Sequence, residues 1–135
     1  MKIKARAYNP NKGKMVNIRV INFCYEDEPV GFETERAHDD WYYAYRGIMF
    51  STGKHDSNGV EIFQGDIFEL VFASLFGDDY ATVNAVVVYK FCSFMLEFIH
   101  PETKELNYMS LFDVLKRNPD KEVIGNIHEN PELIP

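Results

Sequence analysis

Apolar and charged positions alternate as soon as the chain begins. Ile3, Ala5 and Ala7 interleave with Lys2, Lys4 and Arg6, the period of two expected of a strand over residues 3–8 with one apolar and one cationic face. Asn9, Pro10, Asn11 and Gly13 supply turn chemistry, and alternation resumes over residues 15–23 with Val16, Ile18 and Val20 on one side, which predicts a hairpin. Residues 26–40 break the pattern. Seven acids, one Arg, a Pro and a Gly there predict an exposed, mobile loop or an irregular edge. The ring-dense stretch 41–50 fits helix or strand by period, and its aromatic bulk favours strand.

Residues 51–68 are the most informative. Asn58-Gly59 and Gly65-Asp66 flank a short apolar run, which predicts a compact turn, a short strand, a second turn and a longer strand. Gly53, Asp56, Asn58, Gly59, Gly65 and Asp66 are read as structural turn residues, because Asp and Asn bond their own backbone and Gly tolerates positive φ. Strands over 66–73 and 80–90, a turn at 76–79, and a strand over 92–99 with Cys92, Phe94, Leu96 and Phe98 on one side predict a meander. After a reversal at 101–104, Ser110-Leu111-Phe112-Asp113 resembles a capping box opening a helix of one or two turns, ended by Asn118-Pro119. Gly125 interrupts a last strand over 123–127, as at a bulge or a close backbone approach. The pattern predicts a mainly β, small antiparallel β-barrel-like fold with one or two short helical turns.

Composition sharpens this picture. The 135 residues suit a single domain over 1–135, and the 15% aromatic content favours β structure, where flat rings pack on a pleated surface. Cys24 and Cys92 sit in apolar surroundings without metal-ligand spacing, so both are expected to be reduced core thiols. The N-terminus has no apolar leader, and the apolar run 85–89 is too short to cross a bilayer, so a cytoplasmic protein away from the membrane is expected.

Three segments carry a family resemblance: Ile3-Lys4-Ala5-Arg6-Ala7-Tyr8 with Lys14-Met15; Ser51-Thr52-Gly53 through Gly59-Val60-Glu61-Ile62-Phe63-Gln64-Gly65-Asp66-Ile67; and Glu122-Val123-Ile124-Gly125-Asn126-Ile127-His128-Glu129-Asn130-Pro131-Glu132-Leu133. Together they resemble the YopX family of phage and prophage proteins. Tyr8 stands where that family commonly has Trp, and His128 where it usually has Tyr. The resemblance implies a mostly β, barrel-containing fold, a phage or bacterial origin and the cytoplasm of a bacterial host. It implies an uncharacterised role and supplies no catalytic residue.

Candidate chemistry is sparse. Gly53-Lys54 is followed by His55 rather than Ser or Thr, and so fails the phosphate-loop template, and Asp56-Ser57-Asn58-Gly59 fails the calcium-loop template because Val60 holds its fifth position. His38-Asp39 and His55-Asp56 lie in turn-like sequence, which offers poor support for a metal, and no metal or other cofactor is expected. Charge is segregated instead. Lys2, Lys4, Arg6, Lys12, Lys14 and Arg19 precede the first acid, Glu26, and these six are the candidate partner-binding residues.

The expectation is a non-enzymatic interaction module that self-associates into a homo-oligomer and contacts a host or phage protein. The alternative is a nucleic-acid-binding β-barrel that uses the basic N-terminal hairpin, with Tyr42, Tyr43 and Tyr45 as stacking platforms. A net charge of −7 weighs against nucleic-acid binding by the surface as a whole.

Overall fold

The structure, a computed structural model, describes residues 4–9, 13–23, 29–34, 41–42, 48–73 and 79–134, with side chains for 4–8, 13–18, 48–73 and 79–134. The protein is mainly β and antiparallel in every described pairing. It has a curled half-barrel sheet, a second sheet, one α-helix and one 3-10 turn, the class that the alternation predicts. The chain divides into two compact units, Met1–Ser51 and Thr52–Pro135.

In the first unit, strands β1 (Ala5–Asn9), β2 (Lys14–Phe23), β3 (Pro29–Thr34), β4 (Trp41–Tyr42) and the start of β5 (Ile48–His55) lie in the order β4-β3-β2-β1-β5. The expected hairpin forms, with Arg6 opposite Asn17 and Ala7 opposite Val16. Ala5 and Ala7 are buried, whereas Lys4 is exposed, as a half-buried strand requires. The stretch 26–40 departs from expectation, since Pro29–Thr34 is a strand. Val30 and Phe32 alternate with Gly31 and Glu33 over too few residues to outweigh the surrounding acids in a compositional reading. Its pairing with β2 shifts register between Ile18 and Val20 and again between Asn22 and Phe23, so this strand is irregular. The expected mobility of the remaining acidic stretch lies outside the described residues, as do Cys24, His38 and Asp39.

In the second unit, β6 (Glu61–Phe63) neighbours β5. Strands β7 (Asp66–Ala73), β8 (Tyr80–Lys90), β9 (Ser93–Ile99), β10 (Leu106–Ser110) and β11 (Gly125–Asn126) form a sheet in the order β10-β9-β8-β7-β11. The meander is therefore real, with one strand more than the pattern predicts. Leu106–Ser110 was masked by its neighbouring turn and capping signals. The final strand is shorter than 123–127, because only Gly125 and Asn126 pair, opposite Ile67 and Asp66.

Helix α1 (Leu111–Arg117) starts where expected. Ser110, in an extended conformation, accepts the backbone N–H of Asp113 at 3.5 Å, and Asn118 ends the helix by donating its backbone N–H to the Val114 carbonyl. Asp113 in the first turn and Lys116 and Arg117 in the last complement the helix dipole. Leu111 and Val114 face inward, where they join Ile62, Phe68, Leu70, Ala85, Val87, Leu96 and Phe98 in one apolar cluster. Burying such side chains contributes roughly 1.5–3 kcal/mol each relative to exposure.

Candidate functional site

The glycine-rich central motif and the C-terminal motif meet in space. Asp56 directly follows β5 and is 8% exposed. Its Oδ1 accepts the backbone N–H groups of Asn58 and Val60, each at 2.9 Å, and its Oδ2 accepts that of Val123, also at 2.9 Å. Burial opposes ionisation of this carboxyl. The N–H groups of Val123, Val60 and Asn58, helped by the nearby His55, outweigh burial and hold its pKa below the ordinary value of 3.8. Ser57 adds two further ties to the same segment: its backbone N–H donates to the Lys121 carbonyl and its hydroxyl to the Asp120 carbonyl.

The second turn joins the same C-terminal segment. Gly65 has φ +87, its N–H donates to the Val87 carbonyl, and its own carbonyl accepts the Ile127 N–H at 2.9 Å. Asp66 is 2% exposed and its Oδ2 accepts the Phe63 N–H at 2.8 Å. Asn58 occupies the loop that Gly59 completes at φ +79, and the Gly59 N–H donates to the Asp56 carbonyl. Gly53 differs from its sequence reading: it lies inside β5 with φ +77, beside Thr52, whose hydroxyl donates to the Ile62 carbonyl and accepts the Lys54 N–H. It bends a strand rather than making a turn.

Asn126 and Asn130 hold this segment in a way that periodicity along the chain does not announce. Asn126 is buried, and its Oδ1 accepts the N–H groups of His128 and Glu129 while its Nδ2 donates to Glu129 Oε1 at 2.9 Å. Asn130 Oδ1 accepts the Asn126 N–H, and the Asn130 N–H donates to the Asn126 carbonyl. Gly125 serves this contact, since a Cβ there would stand 2.5 Å from Asn130 Oδ1. The signal was present in the Gly-Asn-x-x-x-Asn spacing, but only the folded turn shows which atoms it brings together.

His55 Nε2 lies 3.8 Å from Glu61 Oε1, while both oxygens of Asp56 are turned to backbone N–H groups. Among the described residues no group of three or more His, Cys, Asp or Glu side chains is arranged to hold a metal ion. Of the candidate partner-binding residues, Lys4 and Lys14 are exposed and Arg6 is half-buried on the first hairpin. Lys2 and Lys12 lie outside the described residues, and only the backbone of Arg19 is described, within β2. Tyr43 and Tyr45 also lie outside them, and Tyr42 is described only as backbone of β4.

A different surface stands out at the β8–β9 turn. Lys90 pairs with Ser93, leaving Phe91 and Cys92 as a two-residue loop at φ 56 and 59. This φ pair belongs to a turn for which Asn-Gly is the favoured sequence, and non-glycine residues there cost roughly 1–2 kcal/mol each. Cys92 is therefore exposed, not the core thiol expected from its apolar neighbours. The loop itself lifts it out of the alternation. Phe91 is 67% exposed and packs edge-on against Tyr108, with centroids 5.3 Å apart. Lys90 Nζ donates to the Tyr108 hydroxyl at 2.7 Å and lies 4.7 Å from the Tyr108 ring centre and 5.8 Å from that of Phe91. That hydrogen bond raises the Lys90 pKa. On the hairpin's other face Tyr89, 57% exposed, packs edge-on against Phe94, which in turn meets Phe112, with Lys54 Nζ 5.6 Å from the Phe112 ring centre.

These features define an antiparallel β protein whose motif carboxylates and amides hold main chain, and whose exposed rings gather at one hairpin tip. The defining pattern of the YopX protein family matches residues 4–135, so the chain belongs to the YopX family, over more of its length than the three anchor segments alone. It is similar to the crystal structure of protein EF1440 from Enterococcus faecalis, with a TM-score of 0.65 and 25% identity over 100% of this chain and 99% of that one. No curated protein matches it. Among the described residues no helix is long and apolar enough to cross a membrane.

Proposed function

We propose that this YopX-family chain is a non-enzymatic, phage- or prophage-encoded interaction module that acts in the host cytoplasm, self-associates, and contacts a host or phage macromolecule. One observation carries this reading. The polar residues of the family motifs point at backbone: Asp56 receives three N–H groups, Asp66 receives that of Phe63, and Asn126 receives those of His128 and Glu129. A carboxylate committed to several N–H groups is a weak base and a poor nucleophile, so these motifs serve architecture.

Self-association draws support from β10, which closes one edge of the five-stranded sheet and carries the exposed Leu106 beside the exposed Ile99. An edge strand offers backbone donors and acceptors to a second copy. Sedimentation of the full chain at low and high salt tests this. A larger species that grows with protein concentration is expected, and a monomer under every condition removes self-association.

A second reading, nucleic-acid binding by the basic N-terminal hairpin, is favoured by the exposure of Lys4 and Lys14. Charge reversal at these two positions tests it, since oligonucleotide retention at low salt would then fall.

A further inference from the structure

We propose that the β8–β9 hairpin tip is a binding site for single-stranded nucleic acid, with Phe91 and Tyr89 stacking on bases and Lys90 and Lys54 meeting phosphates. The proposal rests on the interaction-module reading and names both a site and a ligand class for it. Edge-to-face packing within the Phe91–Tyr108 and Tyr89–Phe94 pairs steadies the rings, while Phe91 and Tyr89 keep more than half their surface open. Stacking on exposed rings is available to unpaired bases and not to bases inside a duplex.

The cations favour an anionic partner. Lys90 lies between two rings and gives only one of its three ammonium donors to Tyr108, so two remain for a phosphate. Lys54 stands beside Phe112 on the other face of the hairpin, so a strand crossing the tip meets an ammonium on each side. Among the described residues Glu97, opposite Tyr108 in register, adds to the field that raises the Lys90 pKa. It opposes phosphate approach and gives the proposal a sign that can be tested.

The turn supplies a second, independent indication. Phe91 and Cys92 both occupy left-handed backbone where Asn-Gly would be relaxed. Strain of this kind is commonly kept at sites of recognition, and here it thrusts a ring into solvent.

The test is fluorescence anisotropy of a labelled oligodeoxythymidylate titrated with the full chain at low and raised salt. The intact protein is expected to bind at low salt, with a shallow salt slope of about 1.4 for two lysines on a single strand. The double change Phe91→Asn, Cys92→Gly relaxes the turn, so its melting temperature should hold or rise while affinity falls roughly tenfold. Lys90→Gln should weaken binding and flatten the salt slope, and Glu97→Gln should tighten it. No binding by the intact protein at low salt overturns the proposal, as does unchanged affinity in the stable Phe91→Asn, Cys92→Gly variant or tighter binding of duplex than of single strand. These outcomes are separate from the sedimentation result, which bears on self-association alone.

Discussion

The carboxylate of Asp56 accepts the backbone N–H of Val123 at 2.9 Å across 67 positions of sequence. This bond ties the loop between β5 and β6 to the segment that leads into β11. The same carboxylate also organises its own loop through Asn58 and Val60, so one side chain sets a local turn and a long-range closure together.

Asp56→Asn separates these roles. The amide oxygen can still accept from Asn58 and Val60, but the amide nitrogen would face the Val123 N–H donor to donor. A buried N–H left without an acceptor costs about 1–3 kcal/mol, and the unfolding free energy from urea denaturation should fall by that amount at neutral pH. The pH dependence follows from the depressed pKa of Asp56. Its stabilising effect is complete above the unfolded value of 3.8 and is lost as pH falls through the lower, folded value. Chemical denaturation from neutral pH downward should show the intact protein losing ground to Asp56→Asn below about pH 4, so a constant gap between the two at all pH values would contradict the assignment.

Helix α1 offers a graded pair. Ser110→Ala removes the cap on Asp113 and should cost about 1 kcal/mol, whereas Leu111→Ala opens a cavity in the core and should cost about 2–5 kcal/mol. Thermal melts followed by circular dichroism would rank the two. Equal losses would mean that the helix contributes little packing to the cluster.

Sequence alone foretold the strands whose alternation was long, such as Tyr80–Lys90, and the cap at Ser110, because each rests on local chemistry. The strand Pro29–Thr34 is obscured because its few apolar positions are outnumbered by the acids of residues 26–40. The hairpin tip was obscured for the opposite reason. Phe91-Cys92 contains no residue that announces a turn, so the stretch from Ala85 to Phe94 reads as two strands with Cys92 already inside the second. The meeting of Asp56 with Val123, and of Gly65 with Ile127, depends on how distant segments close and leaves no periodic trace.

Exposure of Cys92 predicts fast reaction of one thiol in the native protein. Cys92→Ser should remove one equivalent of fast labelling by a thiol reagent. An unchanged labelling stoichiometry in Cys92→Ser would contradict the exposure of Cys92.

Gly125 permits a double-mutant cycle with Asn130. A methyl group at 125 would meet the Asn130 side chain at 2.5 Å from Oδ1, 2.7 Å from Cγ and 3.0 Å from Cβ. Gly125→Ala must therefore displace an amide that holds the Asn126 N–H, and overpacking of this kind costs about 1–3 kcal/mol. Asn130→Ala alone loses the bond from its Oδ1 to Asn126, yet it clears much of the space beside Gly125. Adding Gly125→Ala in that background should then cost markedly less than in the intact protein, giving a coupling energy of at least about 0.5 kcal/mol by urea denaturation. Strict additivity would show that Gly125 is required for its backbone freedom and not for this contact. The glycine's φ lies outside the left-handed region, so the close approach of Asn130 is the physical reason for it.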